Sequence, residues 1–338
     1  MNKIKSISKS IISSITIAAA CLGAIEVSAA TRLTMAGQFN EDHIATKAQR
    51  VFAERVEAET DGRVQIRVFA ANQLGDYTQV YDELRIGTID MALISVPSQY
   101  DKRLELGYLH YIAKDYEGIR KNYSPGSFVY NKMNQLHNEQ GVKFMGFHVD
   151  GFGGIGLTKL PANIKDVSSP KNDVLVRVPP MDIFKLTADD QGFRTVSIPW
   201  ADLYTAMQTG VADGWVGGTS SLNYQQFRDV IKYYVVNNNF IEHTAWLMSQ
   251  KSLSKVSPED AVTIERLANE LAAQSINESE ENDEKGLQQL EEAGIQVIRL
   301  NDAELQDWAN NARVKTWSKL STVLSADLIE ELTQEFVK

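Results

Sequence analysis

The spacing of apolar and polar positions changes along the chain, and each change marks an element. Residues 33–36 are a short apolar run that predicts a strand, and the polar stretch from Gln38 to Asp42 predicts a turn. Ala45, Ala48, Val51, Phe52 and Val56 then recur at helical spacing, and Asp61-Gly62 stops that helix. Val64, Ile66 and Val68 alternate with Gln65 and Arg67, the pattern of a strand. A helix from Tyr77 to Ile86, halted by Gly87, and a buried strand from Ile89 to Ser95 follow. Strand, helix, strand, helix, strand predicts a parallel α/β sheet.

The same grammar returns later. Tyr81-x-x-Leu84-x-x-Gly87-x-x-Asp90 is matched by Tyr204-x-x-Met207-x-x-Gly210-x-x-Asp213. In each, a helix ends at Gly and an Asp leads into an apolar strand, as two similarly built lobes would require. The C-terminal third is helical. Ser257-Pro258-Glu259-Asp260 combines a capping Ser, Pro in the first turn and acids beside the helix N-terminus. The helical pattern after it runs to Gly286 or beyond, with Glu278 to Glu284 as a solvated acidic face. Gly294 closes the region, Ile295 to Leu300 is a strand, and Asp302 opens another helix through Trp317.

The start of the chain has a different character. Lys3, Lys5 and Lys9 precede the apolar run Ile11 to Leu22, and Val27-Ser28-Ala29-Ala30 offers small residues for cleavage. Residues 1–30 therefore read as a secretory signal peptide that sends the protein to the periplasm. Its loss removes three Lys and one Glu, taking the formal charge from −10 to about −12. Cys21 leaves with it. Ala18-Ala19-Ala20-Cys21 lacks the Leu of a lipoprotein cleavage box, so a soluble product is expected rather than a lipid-anchored one. About 310 residues remain, near the limit for one core, which predicts two lobes. An acidic chain without a Lys/Arg cluster argues against nucleic acid and anionic membrane surfaces. An anionic ligand stays open, because one buried Arg sets the field inside a cleft.

Little in the sequence points to catalysis. Gly151-Phe152-Gly153-Gly154-Ile155-Gly156 fits G-x-G-x-x-G, but Pro161 arrives where a dinucleotide-binding helix should already run. A flexible crossing between lobes explains these glycines better. The five histidines have no metal-ligand spacing and no Cys partners, and there is no G-x-S-x-G elbow. Neither an enzyme, nor a cofactor, nor a metal site is expected.

Three stretches carry a resemblance. Asn72-Gln73-Leu74-Gly75-Asp76 is followed by Leu84-Arg85-Ile86-Gly87-Thr88-Ile89-Asp90-Met91-Ala92. Val176-Arg177-Val178-Pro179 comes next, and then the run from Ile198-Pro199-Trp200-Ala201-Asp202 through Val211-Ala212-Asp213-Gly214. Their content, order and spacing resemble the extracytoplasmic binding proteins of TRAP transporters, the DctP family. The resemblance implies a two-lobed periplasmic-binding-protein fold of α/β lobes, with crossing strands and a long helix spanning both. The ligand would sit between the lobes and pass to a small and a large membrane subunit for ion-driven uptake.

Arg177 is the first candidate for the site. It lies in a buried-type strand ended by Pro179-Pro180, and Arg is rarely buried without a partner. On residues alone, a structural salt bridge is the simpler account. The family's carboxylate-binding Arg lies in this Arg-Val-Pro motif, and its planar fork suits a carboxylate. The resemblance also implies a ligand-facing aromatic at Trp200. Trp215 and Gly217 stand where the family more often has a polar pair, so Trp215 would give an apolar wall instead. Ser95, at the end of the matching first-lobe strand, is a further candidate as a hydroxyl donor, and the resemblance adds Asn239 and His43 at or near cleft positions of some members. Some members carry a second Arg roughly twenty residues before the first, but none stands here between Arg120 and Arg177. Gly153-Gly154 occupy the expected place, which favours a monoanion, carboxylate or sulfonate, over a dicarboxylate.

The expected division is residues 31–150 with about 240–285 as one lobe, and 151–239 with about 286–315 as the other. Residues 316–338 form a C-terminal helical segment. The function this implies is capture of a small organic acid by a monomeric transport protein. A ligand-presenting sensory protein, or an enzyme on a similar frame, are the alternatives.

Overall fold

The computed structural model describes residues 29–336; the apolar leader and Cys21 lie outside the described residues. The first elements follow the predicted order: β1 (Thr31–Gly37), α1 (Ile44–Glu59), β2 (Val64–Phe69), α2 (Tyr77–Ile86) and β3 (Met91–Ile94). β1 pairs in parallel with both β2 and β3. Helices α3 (Tyr116–Tyr123) and α4 (Phe128–Glu139) then lead to the long strand β4 (Val142–Phe152).

A second sheet begins at β5 (Ile155–Leu157) and continues through β6 (Lys171–Val178), β7 (Phe193–Ser197), β8 (Gly214–Val216) and β9 (Tyr233–Val236). Helices α5 (Asp182–Asp190) and α6 (Trp200–Gln208) connect its parallel strands, and the short α7 (Ser220–Leu222) follows β8. The chain then returns as β10 (Ile241–Ser249), followed by α8 (Gln250–Leu253). Last come α9 (Pro258–Glu292), β11 (Gln296–Arg299), α10 (Asp302–Asn311), α11 (Trp317–Lys319) and α12 (Ala326–Phe336). The strand orders are β2-β1-β3-β10-β4 and β11-β9-β5-β8-β6-β7.

The strands read from the first ninety residues pair in parallel as expected, and strands from later in the chain make both sheets mixed. β10 lies antiparallel to both β3 and β4, because the chain re-enters the first sheet directly as a strand without a helical crossover. The repeated motif has a structural basis. Asp90 Oδ2 accepts from the Thr34 N–H of β1 at 2.7 Å, and Asp213 Oδ2 accepts from the Leu175 N–H of β6 at 2.9 Å. Each Asp precedes one strand and fastens it to its parallel neighbour.

Two crossings join the lobes, β4 to β5 and β9 to β10. They touch at Gly153, whose N–H donates to the Phe240 carbonyl at 2.9 Å. A Cβ on Gly153 would stand 2.4 Å from the Phe240 ring, so glycine serves close approach of the crossings, and no helix follows. Helix α9 is 35 residues long, capped by Ser257, and packs on β4 and α1 in one lobe and on α7 and β11 in the other. It runs through Gly286 without stopping. A Cβ there would come within 2.4 Å of Ser220 Oγ and the Ser221 N, so this glycine lets α7 close on the helix. Glu278, Glu280, Glu281 and Glu284 are exposed, as the acidic face predicts. Asp283 is the exception: its Oδ2 accepts from Tyr116 Oη at 2.5 Å and from the Phe152 N–H at 2.9 Å. The C-terminal segment straps the two lobes. Trp308 Nε1 donates to the Lys165 carbonyl at 3.1 Å, and Trp317 Nε1 to that of His110 at 3.0 Å.

Candidate functional site

Strand β6 alternates, with Val174, Val176 and Val178 buried on one side of the pleat and Arg177 aimed to the other. Arg177 is only 3% exposed, yet no carboxylate among the described residues forms an ion pair with it. Its Nε donates to the Ile198 carbonyl at 2.8 Å, and its two Nη groups have no acceptor among the described residues. The structural salt bridge is therefore not what holds this side chain. Burial pushes its pKa down to about 10, with Tyr77, Glu242 and Asp76 acting the other way, so it stays cationic at neutral pH.

Arg177 faces a cavity of about 40 Å³ between the lobes. The register of β6 and β8 sets Trp215 directly beside it, and both side chains point into this space. Trp215 Nε1 donates to Asn223 Oδ1 at 3.0 Å, which fixes the indole. The glycine at 217 explains the missing polar residue. Its φ is +140°, and a Cβ would stand 2.7 Å from the Trp215 ring. Trp200 opens α6 and meets Phe39 of the facing lobe edge-on, with centroids 5.6 Å apart. Ser95 lines the cavity from the first lobe, its Oγ accepting from Gln38 Nε2 at 2.9 Å while Gln38 Oε1 takes the Ser95 N–H at 2.7 Å.

Of the sequence candidates, the structure brings together Arg177, Trp200, Trp215, Gly217 and Ser95. Asn239 and His43 lie elsewhere. Asn239 sits in a crossing, its Oδ1 accepting from Gln191 Nε2 at 3.0 Å, so its side chain ties the hinge to α5. His43 caps α1 through Nδ1 and stacks on Phe39 at 3.8 Å. Burial lowers its pKa to about 3, and it is neutral.

Sequence reading missed Gln38, Tyr77, Tyr108 and Glu242, which all line the cavity. Glu242 had a usable signal as the one acid in β10, a strand whose other residues are apolar apart from His243, Thr244 and Ser249. Its Oε2 accepts from the Gly218 N–H at 3.0 Å, and burial raises its pKa to about 7 against the pull of that N–H and of Arg177. Tyr77 and Tyr108 gave no signal, since buried tyrosines are ordinary core residues.

Closure has its own chemistry. The residues before α5 and α6, Met181 and Pro199, supply no side-chain cap. Glu105 from the opposite lobe caps α5 instead, accepting the Asp182 N–H at 3.0 Å and the Ile183 N–H at 2.7 Å, with Ser98 Oγ donating at 2.7 Å. Asp76 reaches α6 likewise, its Oδ2 accepting from the Ala201 N–H at 3.3 Å. Among the described residues, no group of three or more His, Cys, Asp or Glu could hold a metal ion. No described helix is long and apolar enough to cross a membrane.

Two lobes shut around a buried guanidinium with no ion-pair partner among the described residues invite comparison with known proteins. Residues 35–320 match the DctP family, bacterial extracellular solute-binding protein, family 7. The chain belongs to that family. It is 22% identical over 305 residues to the sialic acid-binding periplasmic protein SiaP of Vibrio cholerae, covering 89% of this chain and 86% of that one. A TRAP periplasmic solute-binding protein of Haemophilus influenzae with bound L-gulonate superposes with a TM-score of 0.79 at 22% identity, covering 90% and 98% of the two chains. One from Sulfurospirillum deleyianum with bound succinate gives 0.78 at 18% identity, covering 90% and 99%. The family consists of solute-binding proteins rather than enzymes, and the fold is the two-lobed fold of TRAP binding proteins.

Proposed function

We propose that this protein is the periplasmic solute-capturing component of a TRAP transporter. It takes one small organic acid between its lobes, closes, and passes the ligand to a small and a large membrane subunit for uptake driven by an ion gradient. One observation carries the reading: a buried guanidinium whose two Nη groups have no acceptor among the described residues lines the cavity between the lobes. An uncompensated buried charge costs several kcal/mol, and a carboxylate or sulfonate held by the fork removes that cost. A single acid group fits best, because no second Arg or Lys lines the cavity and Gly153-Gly154 have no room for one. Relatives named for sialic acid, gulonate and succinate support organic acids as the ligand class. The lobes we assign are residues 31–150 with about 240–285, and 151–239 with about 286–315, residues 316–338 standing outside both. The capturing protein is assigned as a monomer.

Arg177→Ala tests the site. Calorimetry against organic acids that stabilise the wild type should show a loss of roughly 2–5 kcal/mol, about thirty- to several-thousand-fold in affinity. Affinity within twofold of wild type would remove Arg177 as the anchor. Deleting the neighbouring transporter genes should abolish uptake of that acid; lost signalling with uptake intact would favour a sensory protein.

A further inference from the structure

Organic-acid capture uses Arg177 and leaves Glu242 unexplained. Arg177 comes from the second lobe and Glu242 from the first strand after the return crossing, and both line the same cavity. They attract each other, yet they do not pair. No side chain among the described residues donates to the Glu242 carboxylate, which holds only backbone N–H groups of Gly218 and His243. Phe39, Trp200, Trp215 and Phe184 form much of the remaining wall. A partly open, largely aromatic cleft thus keeps a fixed acceptor and a fixed cation facing the same space. Two opposite charges left unpaired in such a cleft are costly unless something lies between them.

Resting on the organic-acid reading above, we infer that Glu242 is the specificity-determining residue of the cleft, accepting a hydrogen bond from a hydroxyl or ammonium group of the bound acid and rejecting a second carboxylate. The ligand class is therefore a monocarboxylate with a donor group at a distance from its acid. The aromatic wall covers the carbon frame between the two ends. A diacid would set carboxylate against carboxylate in a low-dielectric space, where one of the two must take a proton. Five groups face Glu242 and share its field: Arg177 from β6, Tyr77 from α2, Tyr108 near the cleft, Tyr234 from β9 and Asp150 from β4. Burial holds the three tyrosines well above their ordinary pKa values, which leaves them neutral at neutral pH, and raises Asp150 as well. Glu242, raised to about 7, is the group that gains charge across the physiological range.

The test compares acids that differ only at the far end. One set is butyrate, 4-hydroxybutyrate, 4-aminobutyrate and succinate; the other is gluconate and glucarate, galactonate and galactarate. Calorimetry is run near pH 8 on wild type, Glu242→Gln and Arg177→Ala, and on wild type again near pH 5.5. At the higher pH, wild type should bind a donor-bearing monoacid at least roughly tenfold tighter than its diacid or methyl counterpart. Whether the hydroxyl or the ammonium member binds more tightly identifies the donor. Glu242→Gln should bring the diacid to within about threefold of the monoacid, and wild type at low pH should shift the same way. The pH arm is read on the gluconate–glucarate and galactonate–galactarate pairs, whose carboxyls stay ionised at pH 5.5 whereas succinate itself takes up a proton. It needs no substitution, so it reads the inference even with a variant that fails to fold. A diacid that binds wild type near pH 8 as tightly as its monoacid overturns the inference, as does an unchanged ranking in Glu242→Gln. Unchanged binding in Arg177→Ala, or no binding by either set, overturns the organic-acid reading itself.

Discussion

A methyl group at position 217 would meet the Trp215 ring at 2.7 Å, and one at 218 would meet it at 2.3 Å. The strand end after β8 is therefore built around the indole, and the two glycines make room for an aromatic wall where a polar residue would otherwise stand. Gly→Ala often stabilises a protein by shrinking the freedom of its unfolded chain. Here the sign reverses, because φ at Gly217 is +140°, a region that favours glycine. Gly217→Ala should lower unfolding stability by about 1–3 kcal/mol and weaken ligand binding by displacing Trp215. Urea denaturation checks the first part; stability at or above wild type would show that the indole has room to spare. Arg177 and Glu242 belong to this scale too. Arg177 stands between Val176 and Val178 and Glu242 is the one acid of β10, so each was readable as an anomaly, although only a family motif suggested a task for Arg177.

Between elements, the helices of the second lobe lack their own caps. α5 follows Met181 and α6 follows Pro199, and neither residue offers a side-chain acceptor. Glu105 and Asp76 supply the acceptors from the first lobe, so two helix N-termini are satisfied only while the lobes are shut. Removing a cap costs about 0.5–2 kcal/mol. Glu105 is absent from the cavity lining, yet Glu105→Ala should weaken affinity about two- to thirtyfold. The loss should fall on dissociation rather than association, because the contact forms last. Stopped-flow measurement of both rates checks this, and a dissociation rate equal to wild type would deny the latch. The sequence hid the latch because its parts stand 77 residues apart. The repeated helix–Gly–Asp motif was visible because its parts are local.

At the scale of the whole molecule, buried and half-buried carboxylates gather where the lobes join. Asp150 lies on β4, Glu242 on β10 and Asp283 on α9, and burial raises the pKa of all three. Asp283 rises to about 7, despite the Tyr116 hydroxyl and the Phe152 N–H that hold its charged form. Unfolded, it would titrate near 4. Between those values the folded protein keeps a proton that the unfolded chain releases, so stability falls as pH rises through the window. The cost is complete above the folded value and absent below the unfolded one. Asp283→Asn keeps an acceptor for Tyr116 and Phe152 but cannot ionise. It should flatten the decline in stability between pH 5 and pH 8 by an amount on the order of a few kcal/mol. Thermal melts across that range check it, and a decline as steep as wild type would place the proton elsewhere.

The sequence by itself determined the first five elements, the start of α9, and the isolated Arg177 before its prolines. Those features depend on spacing and on neighbours a few residues away, which periodicity and capping chemistry record directly. The tertiary structure decided the mixed sheets, the meeting of Gly153 with Phe240, the inward turn of Asp283 and the facing of Arg177 by Glu242. It also moved Asn239 to the hinge and His43 to a helix cap. Each of these depends on which distant strand lies alongside, and the pairing of β10 with β4 joins residues nearly a hundred positions apart. A local pattern carries no information about such a meeting, because the partner that gives the residue its role appears only when the lobes close.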